Sequence, residues 1–512
     1  MASTDRVTML DTIETVPASK RRNRHPTALA VLGLAAAILY GACEFLQYYT
    51  FRSGTYDLVI FDQAVRSYSH FHWPVSIAAG VHRGFGTDFA VLGDHFSPIL
   101  ALLAPLYWIH SGPQTLLVAQ ALLFAAAIAP LWVFVRRELD SGFAAYCVAI
   151  GYAISWPVAQ AVSFDFHEVA FAPVLTALLF ERWSAYRRGR ALWWHVVLPA
   201  IGLLLVKEDM GLLVAGFGLA VLLKSIKTGQ ARLLGAGFVA GGLAAIVLTT
   251  DVILPAFGSN PKFYWQYGQF GPTVPTAAWD ILTHPLLTAN TFVSPADKVH
   301  TMVCLVGLAA FLGLLSPWLL VVVPVLADRM LADQPHWWGM DFHYNAFLII
   351  PVLCGGVDAV ARLARWTRRW PWHRWITPLW AGAVLVIAIG TVHEYAFDPL
   401  LHSVSWQRNP AAAAAVDHVP SGVTVAAADN LGPQLTGRTT VLLWDRQARW
   451  TPWVVADVRR PTFPFCGVAD QLDQVTYLES HGYQQVFADD GYLVLHHPGP
   501  LPPIDTTQSP GC

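Results

Sequence analysis

Five segments of this sequence place carboxylates beside histidine, lysine or aromatic residues in otherwise apolar surroundings. In the first segment, Asp57 and Asp62 stand among apolar and aromatic residues, and Arg66 follows Asp62 at helical pairing distance. A carboxylate that is partly removed from water between apolar neighbours can act as a general base. The structural alternatives are a helix cap for Asp57 and a surface ion pair for Asp62. Asp57 and Asp62 are therefore the candidate catalytic residues.

The second segment is Gly93-Asp94-His95, which precedes an apolar run too short for a membrane span, residues 99–109. A turn of this kind offers one carboxylate and one imidazole to a phosphate or a metal. The alternative is that Asp94 caps a helix and His95 merely lies beside it. Asp94 and His95 are candidate substrate-binding residues.

The third segment contains Asp165, His167 and Glu168. If this segment is helical, Asp165 and Glu168 are three residues apart and share one face, where two carboxylate oxygens suit a divalent cation.

The fourth segment, Lys207-Glu208-Asp209, lies between two apolar half-segments. Successive helix residues are about 100° apart, so these three side chains cannot point one way unless the helix breaks. Ionisable groups at such a depth cost several kcal/mol each unless they face a wet cavity or one another. Structural ion pairing and a functional role both remain open. The fifth segment contains Asp341, His343 and Tyr344 after two tryptophans, for which anchoring in an aromatic belt is the alternative.

Composition defines the class of protein that must position these residues. Only 13% of the 512 residues are charged, whereas soluble proteins carry about 25%. Hydrophobic residues make up 55% of the chain, and the mean hydropathy is +0.44. The net charge of -2 excludes a strongly basic nucleic-acid-binding protein. The sequence therefore predicts an all-α polytopic membrane protein.

Eleven apolar segments are candidate spans, and basic residues collect in four of their connections. If each of these clusters is cytoplasmic, the alternation closes with the N-terminus in the cytoplasm and the C-terminus outside. The eleven segments are Thr27–Leu46, Leu116–Val135, Phe143–Val162, Val169–Phe180, Val196–Val206, Met210–Leu223, Leu234–Phe257, Val299–Leu314, Ser316–Leu326, Phe347–Val360 and Ile376–Val392. This topology makes residues 1–26 a cytoplasmic tail and 27–395 a transmembrane domain of the plasma membrane. It also makes residues 48–98 a large first external loop and gathers the five polar segments at the outer face.

The C-terminal part changes character at about residue 396. Four strand-like runs, Val423–Ala428, Thr440–Trp444, Gln485–Ala488 and Tyr492–His496, alternate with turn signals and predict a small extracytoplasmic α/β domain over residues 396–499. Residues 500–512 are rich in proline, glycine and serine and are predicted to be disordered. Cys466 and Cys512 are both external and could pair in an oxidising compartment, or remain unpaired.

Together these motifs resemble a bacterial family of multi-pass proteins of unknown function that is grouped with the GT-C superfamily of membrane glycosyltransferases. The likeness rests on the first-loop acids Asp57 and Asp62, on the Gly93–Pro98 segment, and on the segments around Asp165, Lys207 and His343. It covers roughly residues 27–395. This sequence departs from better-studied GT-C members because Gln63, and not a second acid, follows Asp62.

The resemblance implies an inverting transfer of sugar from a polyprenyl-phosphate carrier to a glycan, lipid or protein acceptor on the outer face of the plasma membrane. It implies that Asp57 or Asp62 is the base and that Lys207 holds the carrier phosphate, with Asp94, His95, His343 and Tyr344 also binding substrate. Five residues would orient that phosphate or coordinate a divalent cation, Mg²⁺ or Mn²⁺: Asp165, His167, Glu168, Glu208 and Asp209. Two other functions remain open: a transporter or lipid-carrier flippase, and a non-catalytic envelope-assembly protein.

Overall fold

The computed structural model describes residues 25–224, 229–258, 265–397 and 407–510. In these ranges the chain forms a helical domain followed by a small domain with a five-stranded sheet. The predicted fold class is therefore confirmed. The predicted cytoplasmic tail lies outside the described residues, except for His25 and Pro26, which begin the first helix.

Each of the eleven predicted segments overlaps an apolar helix. Among the described residues, five helices are long and apolar enough to cross a membrane: His25–Tyr49, Pro113–Leu139, Gly142–Val162, Gly229–Ala256 and His373–Ala396. Six shorter helices cover the remaining segments: Phe171–Tyr186, Trp193–Leu204, Met210–Lys224, Ala296–Gly307, Leu319–Leu331 and Ile349–Trp366. Large apolar side chains such as Val31, Leu34 and Ile38 are exposed along the first helix, as expected of a surface in contact with lipid.

One end of the bundle is closed by pairs between basic and acidic residues at helix ends. Arg137 and Glu181 lie 2.7 Å apart, Arg188 and Glu138 also lie 2.7 Å apart, and Lys224 and Asp358 lie 2.5 Å apart. Arg137, Glu138, Glu181, Arg188 and Lys224 come from the predicted cytoplasmic connections, whereas Asp358 lies within the helix Ile349–Trp366. All five candidate segments lie at the opposite helix ends, which places the polar loops on one side of the bundle.

The sheet of the C-terminal domain has the strand order β2-β1-β3-β5-β4. Its strands are β1 (Thr424–Ala427), β2 (Thr440–Leu443), β3 (Trp453–Asp457), β4 (Gln484–Asp489) and β5 (Tyr492–His496). The first three are parallel, whereas β5 is antiparallel to both β3 and β4. Helices Pro410–Asp417 and Val468–Ser480 accompany the sheet. The four predicted strand runs became β1, β2, β4 and β5, and β3 was not predicted.

The C-terminal domain packs on residues of the 48–98 loop, which the sequence predicts to be the first external loop. Loop residues Phe51, Val59 and Ile60 share one apolar core with residues of the sheet. Gln63 donates a hydrogen bond to the carbonyl of Val441 at 2.8 Å, and Gln434 donates to the carbonyl of Tyr48 at 2.6 Å. The domain therefore covers the loop that carries Asp57.

The segment predicted to be a disordered tail is instead ordered as far as residue 510. The Arg449 guanidinium donates to the carbonyls of Asp505 and Thr507, both at 2.8 Å, and the Ser509 amide donates to the carbonyl of His82 at 3.1 Å. Cys466 is disulfide-bonded. Its predicted partner, Cys512, lies outside the described residues.

Candidate functional site

The first external loop opens with a π-helix, Thr55–Val59, which continues into the α-helix Ile60–Ser69. π-Helical turns are rare and frequently occur at functional sites. Asp57 lies in the middle of this turn, and 28% of its side chain is exposed. A carboxylate in this setting is accessible to a substrate and is also partly desolvated.

Asp57 is paired with a histidine from the third segment. The Oδ1 atom of Asp57 lies 3.4 Å from Nε2 of His167, and Nδ1 of the same ring lies 3.0 Å from the carbonyl oxygen of Asp165. A carbonyl only accepts, so Nδ1 carries a proton, and Nε2 carries one when the ring is an imidazolium. Burial lowers the pKa of His167, but the hydrogen bond and charge of Asp57 raise it above its ordinary value.

The His167 ring also packs face to face against a residue of the fifth segment, His343. The rings of His167 and His343 are stacked with centroids 3.8 Å apart, and Phe164 stacks on His167 at 5.1 Å. Burial, and then the neighbouring His167 and Lys207, lower the pKa of His343 well below its ordinary range. His343 is therefore a neutral ring that supports the orientation of His167.

Lys207 lies beside the same cluster. Its Nζ atom is 3.6 Å from Oε1 of Glu168, the residue that follows His167, and only 12% of the Lys207 side chain is exposed. Burial lowers the pKa of Lys207, but Glu168, Asp209 and Glu208 together raise it above its ordinary value. Lys207 is therefore a positive charge paired with Glu168 and stabilised by the charges of Asp209 and Glu208.

The fourth segment is a turn between helices Trp193–Leu204 and Met210–Lys224, so the helix breaks here and its 100° spacing does not separate the three charged side chains. Glu208 accepts from Nδ1 of His95 at 2.8 Å and from the amide of Phe96 at 3.0 Å. Burial raises the pKa of Glu208, but His95 and Lys207 outweigh it and lower the pKa to about 2. Burial raises the pKa of Asp209 to about 7. His95 thus joins the second segment to the fourth.

Tyr344 connects the two parts of the cluster. Burial raises the pKa of Tyr344, the positive charge of Lys207 lowers it, and the negative charges of Asp57 and Glu168 raise it. The phenol therefore lies within electrostatic range of both Asp57 and Lys207. The first, third, fourth and fifth segments consequently meet in one site.

Several buried polar atoms around Lys207 have no hydrogen-bond partner among the described residues: Glu168 Oε1 and Oε2, Asp209 Oδ1, His343 Nδ1 and Arg329 Nη1. Buried polar atoms in proteins are almost always paired, so a group of orphaned atoms marks a place that accommodates a polar ligand or water. Arg329 was not predicted, although a charge at the end of the apolar Ser316–Leu326 segment was a usable signal. Its guanidinium lies 5.9 Å from the centre of the Tyr344 ring.

Asp94 supports the turn that carries Asp57 through Arg83 and Tyr56. It forms an ion pair with Arg83, whose Nε donates to the hydroxyl of Tyr56 at 2.8 Å. Arg83 also lies over the Tyr56 ring, 5.1 Å from its centroid. Because Tyr56 immediately precedes Asp57, these contacts hold the turn from the side of the loop.

Asp62 lies apart from the cluster. Its carboxylate is fully buried and accepts from Arg66 at 2.6 Å, from the Tyr107 hydroxyl at 2.8 Å and from the Thr436 hydroxyl at 2.8 Å. These contacts join the first loop to the C-terminal domain. The predicted ion pair with Arg66 is present, and the geometry assigns Asp62 an anchoring position.

The five candidate metal ligands do not converge on one point. Residues 164–167 are not helical, so Asp165 and Glu168 do not share a helix face: Asp165 accepts from the Gly54 amide at 2.5 Å, whereas Glu168 faces Lys207. Within the described ranges no three histidine, cysteine, aspartate or glutamate side chains are arranged to hold a metal ion. The helical i, i+3 arrangement on which the predicted cation site depends is therefore not formed.

Asp429 is a second site residue that the sequence did not indicate. It follows β1 in the C-terminal domain, and its Oδ1 accepts from the amide of Tyr56 at 2.9 Å. Burial raises the pKa of Asp429 to about 7, and the charge of Asp57 adds to this shift. Thr55 and Asp429 are 374 residues apart in sequence, a separation at which no motif links two positions.

The apolar helices and the charged cluster at their outer ends define a polytopic membrane protein with a buried polar site. The model of the family described as "Predicted membrane protein (DUF2079)" matches residues 47–494, and the chain belongs to this family. The predicted membership of a multi-pass family of unknown function is thereby confirmed. The matched range contains the first loop, the helical bundle and the C-terminal domain. No curated protein matches the sequence.

Three solved structures are similar over most of this chain. ArnT from Cupriavidus metallidurans bound to undecaprenyl phosphate has a TM-score of 0.48 at 13% identity, covering 92% of this chain and 98% of that chain. Its apo state has a TM-score of 0.47 at 11% identity, covering 95% and 100%. The Archaeoglobus fulgidus oligosaccharyltransferase, in complex with Zn and sulfate, has a TM-score of 0.41 at 12% identity, covering 83% and 68%.

Proposed function

We propose that this protein is an inverting glycosyltransferase that moves a sugar from a polyprenyl-phosphate carrier to an acceptor at the outer face of the plasma membrane. One observation carries the proposal: a partly exposed carboxylate, Asp57, is held by His167 beside a buried Lys207 that is surrounded by polar atoms without partners. The arrangement offers a base and a phosphate-binding cation within one site. The acceptor is a glycan, a lipid or a protein.

In the proposed reaction the acceptor hydroxyl gives its proton to Asp57 while its oxygen forms a bond to the anomeric carbon. The bond between that carbon and the phosphate oxygen breaks, its electron pair leaves with the carrier phosphate, and the configuration inverts. A positioned general base contributes about 10²- to 10⁴-fold to such a rate. The pairing of Asp57 with His167 fixes the direction of the carboxylate before the acceptor arrives.

The leaving carrier phosphate gains negative charge as the bond breaks. Lys207 suits this role because an ammonium group is a compact point charge, and burial strengthens its interaction with a phosphate. Arg329 has an unpartnered Nη1 near Tyr344 and supplies a second positive charge. Binding of the phosphate would supply the missing acceptor of Arg329 Nη1.

The resemblance also implied a divalent cation, and the donor groups present do not fit one. Glu168 is already paired with Lys207 at 3.6 Å, and among the described residues no three histidine, cysteine, aspartate or glutamate side chains are arranged to hold a metal ion. Asp165 faces the Gly54 amide and is directed away from Glu168. We therefore derive no step through a metal bound by these residues.

The proposed orientation has the N-terminus in the cytoplasm and the C-terminal domain outside. The basic clusters at the ion-paired end of the bundle support it, because arginine and lysine accumulate in cytoplasmic loops.

The test is transfer by the purified full-length protein in nanodiscs, with a panel of undecaprenyl-phosphate-linked hexoses and pentoses as donors. Asp57→Asn is expected to lower turnover by at least 100-fold at unchanged expression. Asp88→Asn, which changes an exposed aspartate of the same loop, is the matched control and keeps parental turnover. Retained transfer in Asp57→Asn would reject the mechanism. Net movement of undecaprenyl phosphate across liposomes without sugar transfer would instead identify a flippase.

A further inference from the structure

The backbone of the turn that carries Asp57 is held by a residue of the C-terminal domain. The carbonyl of Asp429 accepts the Thr55 amide at 2.6 Å and the Thr55 hydroxyl at 2.7 Å, and Oδ1 of Asp429 accepts the Tyr56 amide at 2.9 Å. One residue therefore accepts three of the hydrogen bonds at the start of the π-helix. No other domain of the chain touches these two amides in the described residues.

The turn needs such an external partner because it cannot cap itself. The residue before it, Gly54, has no side chain, and the first amides of a helix have no acceptor within the helix. Burying these amides without an acceptor would be costly, and Asp429 provides acceptors for two of them. Asp165 accepts the Gly54 amide at 2.5 Å and completes the cap from the helical bundle.

Close packing fixes the geometry of this contact. A Cβ atom at Gly54 would lie 3.1 Å from Oδ2 of Asp429 and 3.4 Å from Oδ2 of Asp165, so the two carboxylates meet over the glycine. A Cβ atom at Gly432, three residues after Asp429, would lie 2.0 Å from the Thr55 hydroxyl. The C-terminal domain and the loop therefore approach each other at two glycines: Gly432 leaves no room for a Cβ atom, and a Cβ atom at Gly54 would press on the Asp429 carboxylate.

Placing two further carboxylates next to Asp57 costs free energy, and docking of the C-terminal domain does not require it. Asp165 and Asp429 are buried beside the negatively charged Asp57, and burial raises the pKa of each to about 7. Docking is already provided by the shared apolar core and by Gln63 and Gln434. An acidic residue directed at the Asp57 turn thus has a purpose beyond holding the domain in place.

We propose that Asp429 is a positioning residue that fixes the direction of Asp57, so that the C-terminal domain is a component of the catalytic unit. The inference rests on the proposed function of Asp57 as base. Asp429 does not touch the reacting atoms in this scheme, because it acts through the amides of Thr55 and Tyr56. A displacement of about 1 Å in a catalytic group typically costs on the order of 100-fold in rate.

The experiment compares four full-length proteins in nanodiscs: the parent, Asp429→Ala, Asp429→Asn and Gln434→Ala. Asp429→Ala removes the acceptor of the Tyr56 amide, whereas Asp429→Asn keeps an oxygen there. Gln434→Ala removes a docking hydrogen bond to Tyr48 and leaves the π-helix contacts unchanged. Hydrogen exchange of residues 54–58 is measured by mass spectrometry, and kcat and KM for the donor are measured by transfer.

We expect Asp429→Ala to accelerate exchange in residues 54–58 and to lower kcat by at least tenfold, with the donor KM within about twofold of the parent. Asp429→Asn is expected to stay within about threefold of the parent in kcat. Gln434→Ala is expected to lower the thermal midpoint without changing kcat or exchange at the turn. Parental exchange and parental kcat in Asp429→Ala would overturn the proposal, as would a Gln434→Ala protein that reproduces both effects.

If Asp429→Ala cannot be recovered in folded form, Gly54→Ala tests the same contact from the side of the loop. The added Cβ atom would press on the Asp429 carboxylate, and we expect the same faster exchange. Parental exchange in Gly54→Ala would overturn the proposal. The exchange measurements do not depend on transfer, so failure of the proposed function, seen as retained turnover in Asp57→Asn, is distinguishable from failure of this one.

Discussion

Asp57 and His167 lie 3.4 Å apart, Oδ1 to Nε2, while the opposite nitrogen of the same ring faces the carbonyl of Asp165 at 3.0 Å. The pair joins the first external loop to the third polar segment. Since the carbonyl accepts the Nδ1 proton, the state of Nε2 determines whether Asp57 is held by an ionic hydrogen bond.

This pair predicts a basic limb in the pH profile of transfer. The pKa of His167 is raised above its ordinary value, so the imidazolium is present below that pKa and its contact with Asp57 is lost as the pH rises through it. The titratable groups that face the ring are Asp57, Glu168 and His343. We expect His167→Gln to lower kcat about tenfold and to abolish the basic limb. The control is His72→Gln, an exposed histidine of the same loop, and a limb that persists in His167→Gln contradicts this assignment.

Lys207 is predicted to bind the phosphate of the carrier. Lys207→Met removes the charge and nearly preserves volume, so binding of undecaprenyl phosphate, followed by tryptophan fluorescence in detergent, is expected to weaken at least tenfold. The matched control is Lys224→Met, which removes another partly buried lysine of an ion pair, at the opposite end of the bundle. Equal affinities for the two variants would disprove the role.

Asp62 is predicted to stabilise the fold and not to act as the base. Its buried carboxylate accepts from Arg66, Tyr107 and Thr436, so Asp62→Asn is expected to destabilise the protein by about 2–4 kcal/mol. Turnover per folded molecule should remain within a few-fold of the parent. Thermal unfolding and active-fraction kinetics measure the two quantities. A stable Asp62→Asn protein without activity would return Asp62 to the position of candidate base.

Asp165 predicts a pH-dependent stability. Burial first, and then the charges of Asp57 and Asp429, raise its pKa to about 7, although the Gly54 amide and Ser53 lower it. An acid whose folded pKa exceeds its unfolded value stabilises the fold at low pH, and this contribution falls as the pH rises from about 4 to about 7. Asp165→Asn is neutral at every pH and keeps an acceptor oxygen.

We therefore expect Asp165→Asn to gain stability relative to the parent as the pH rises, by about 1–3 kcal/mol between pH 4.5 and pH 7.5. The difference between thermal midpoints across this range measures it, with the exposed Asp489→Asn as control. A difference that does not vary with pH would contradict the raised pKa of Asp165.

The sequence predicted the parts of the fold that depend on local pattern. The eleven apolar helices follow from hydropathy, and four strands follow from short runs between turn signals. Strand β3, Trp453–Asp457, was missed because it is a short run that is buried in the middle of the sheet and shows no alternation. Hydropathy alone does not separate such a run from the loops beside it.

The sequence predicted which segments contribute to the site, but not which of their side chains contact one another. Asp57, His167, Glu168, Lys207 and His95 were selected because charges are rare and costly in apolar surroundings. Their pairing depends on how the helix ends meet, which a single sequence does not encode locally. The non-helical path of residues 164–167 shows this, because it turns Asp165 toward Gly54 and away from Glu168.

The hydrogen bonds between Thr55 and Asp429 also bear on biosynthesis. The two residues are 374 positions apart, so the turn bearing Asp57 is synthesised early and receives its anchor only when almost the whole chain has been translated. An unfinished chain, already inserted in the bilayer, would hold its acidic loop without that anchor. If Asp57 is the base that we propose, competence for transfer would thus be acquired only after β1 and Asp429 have been synthesised.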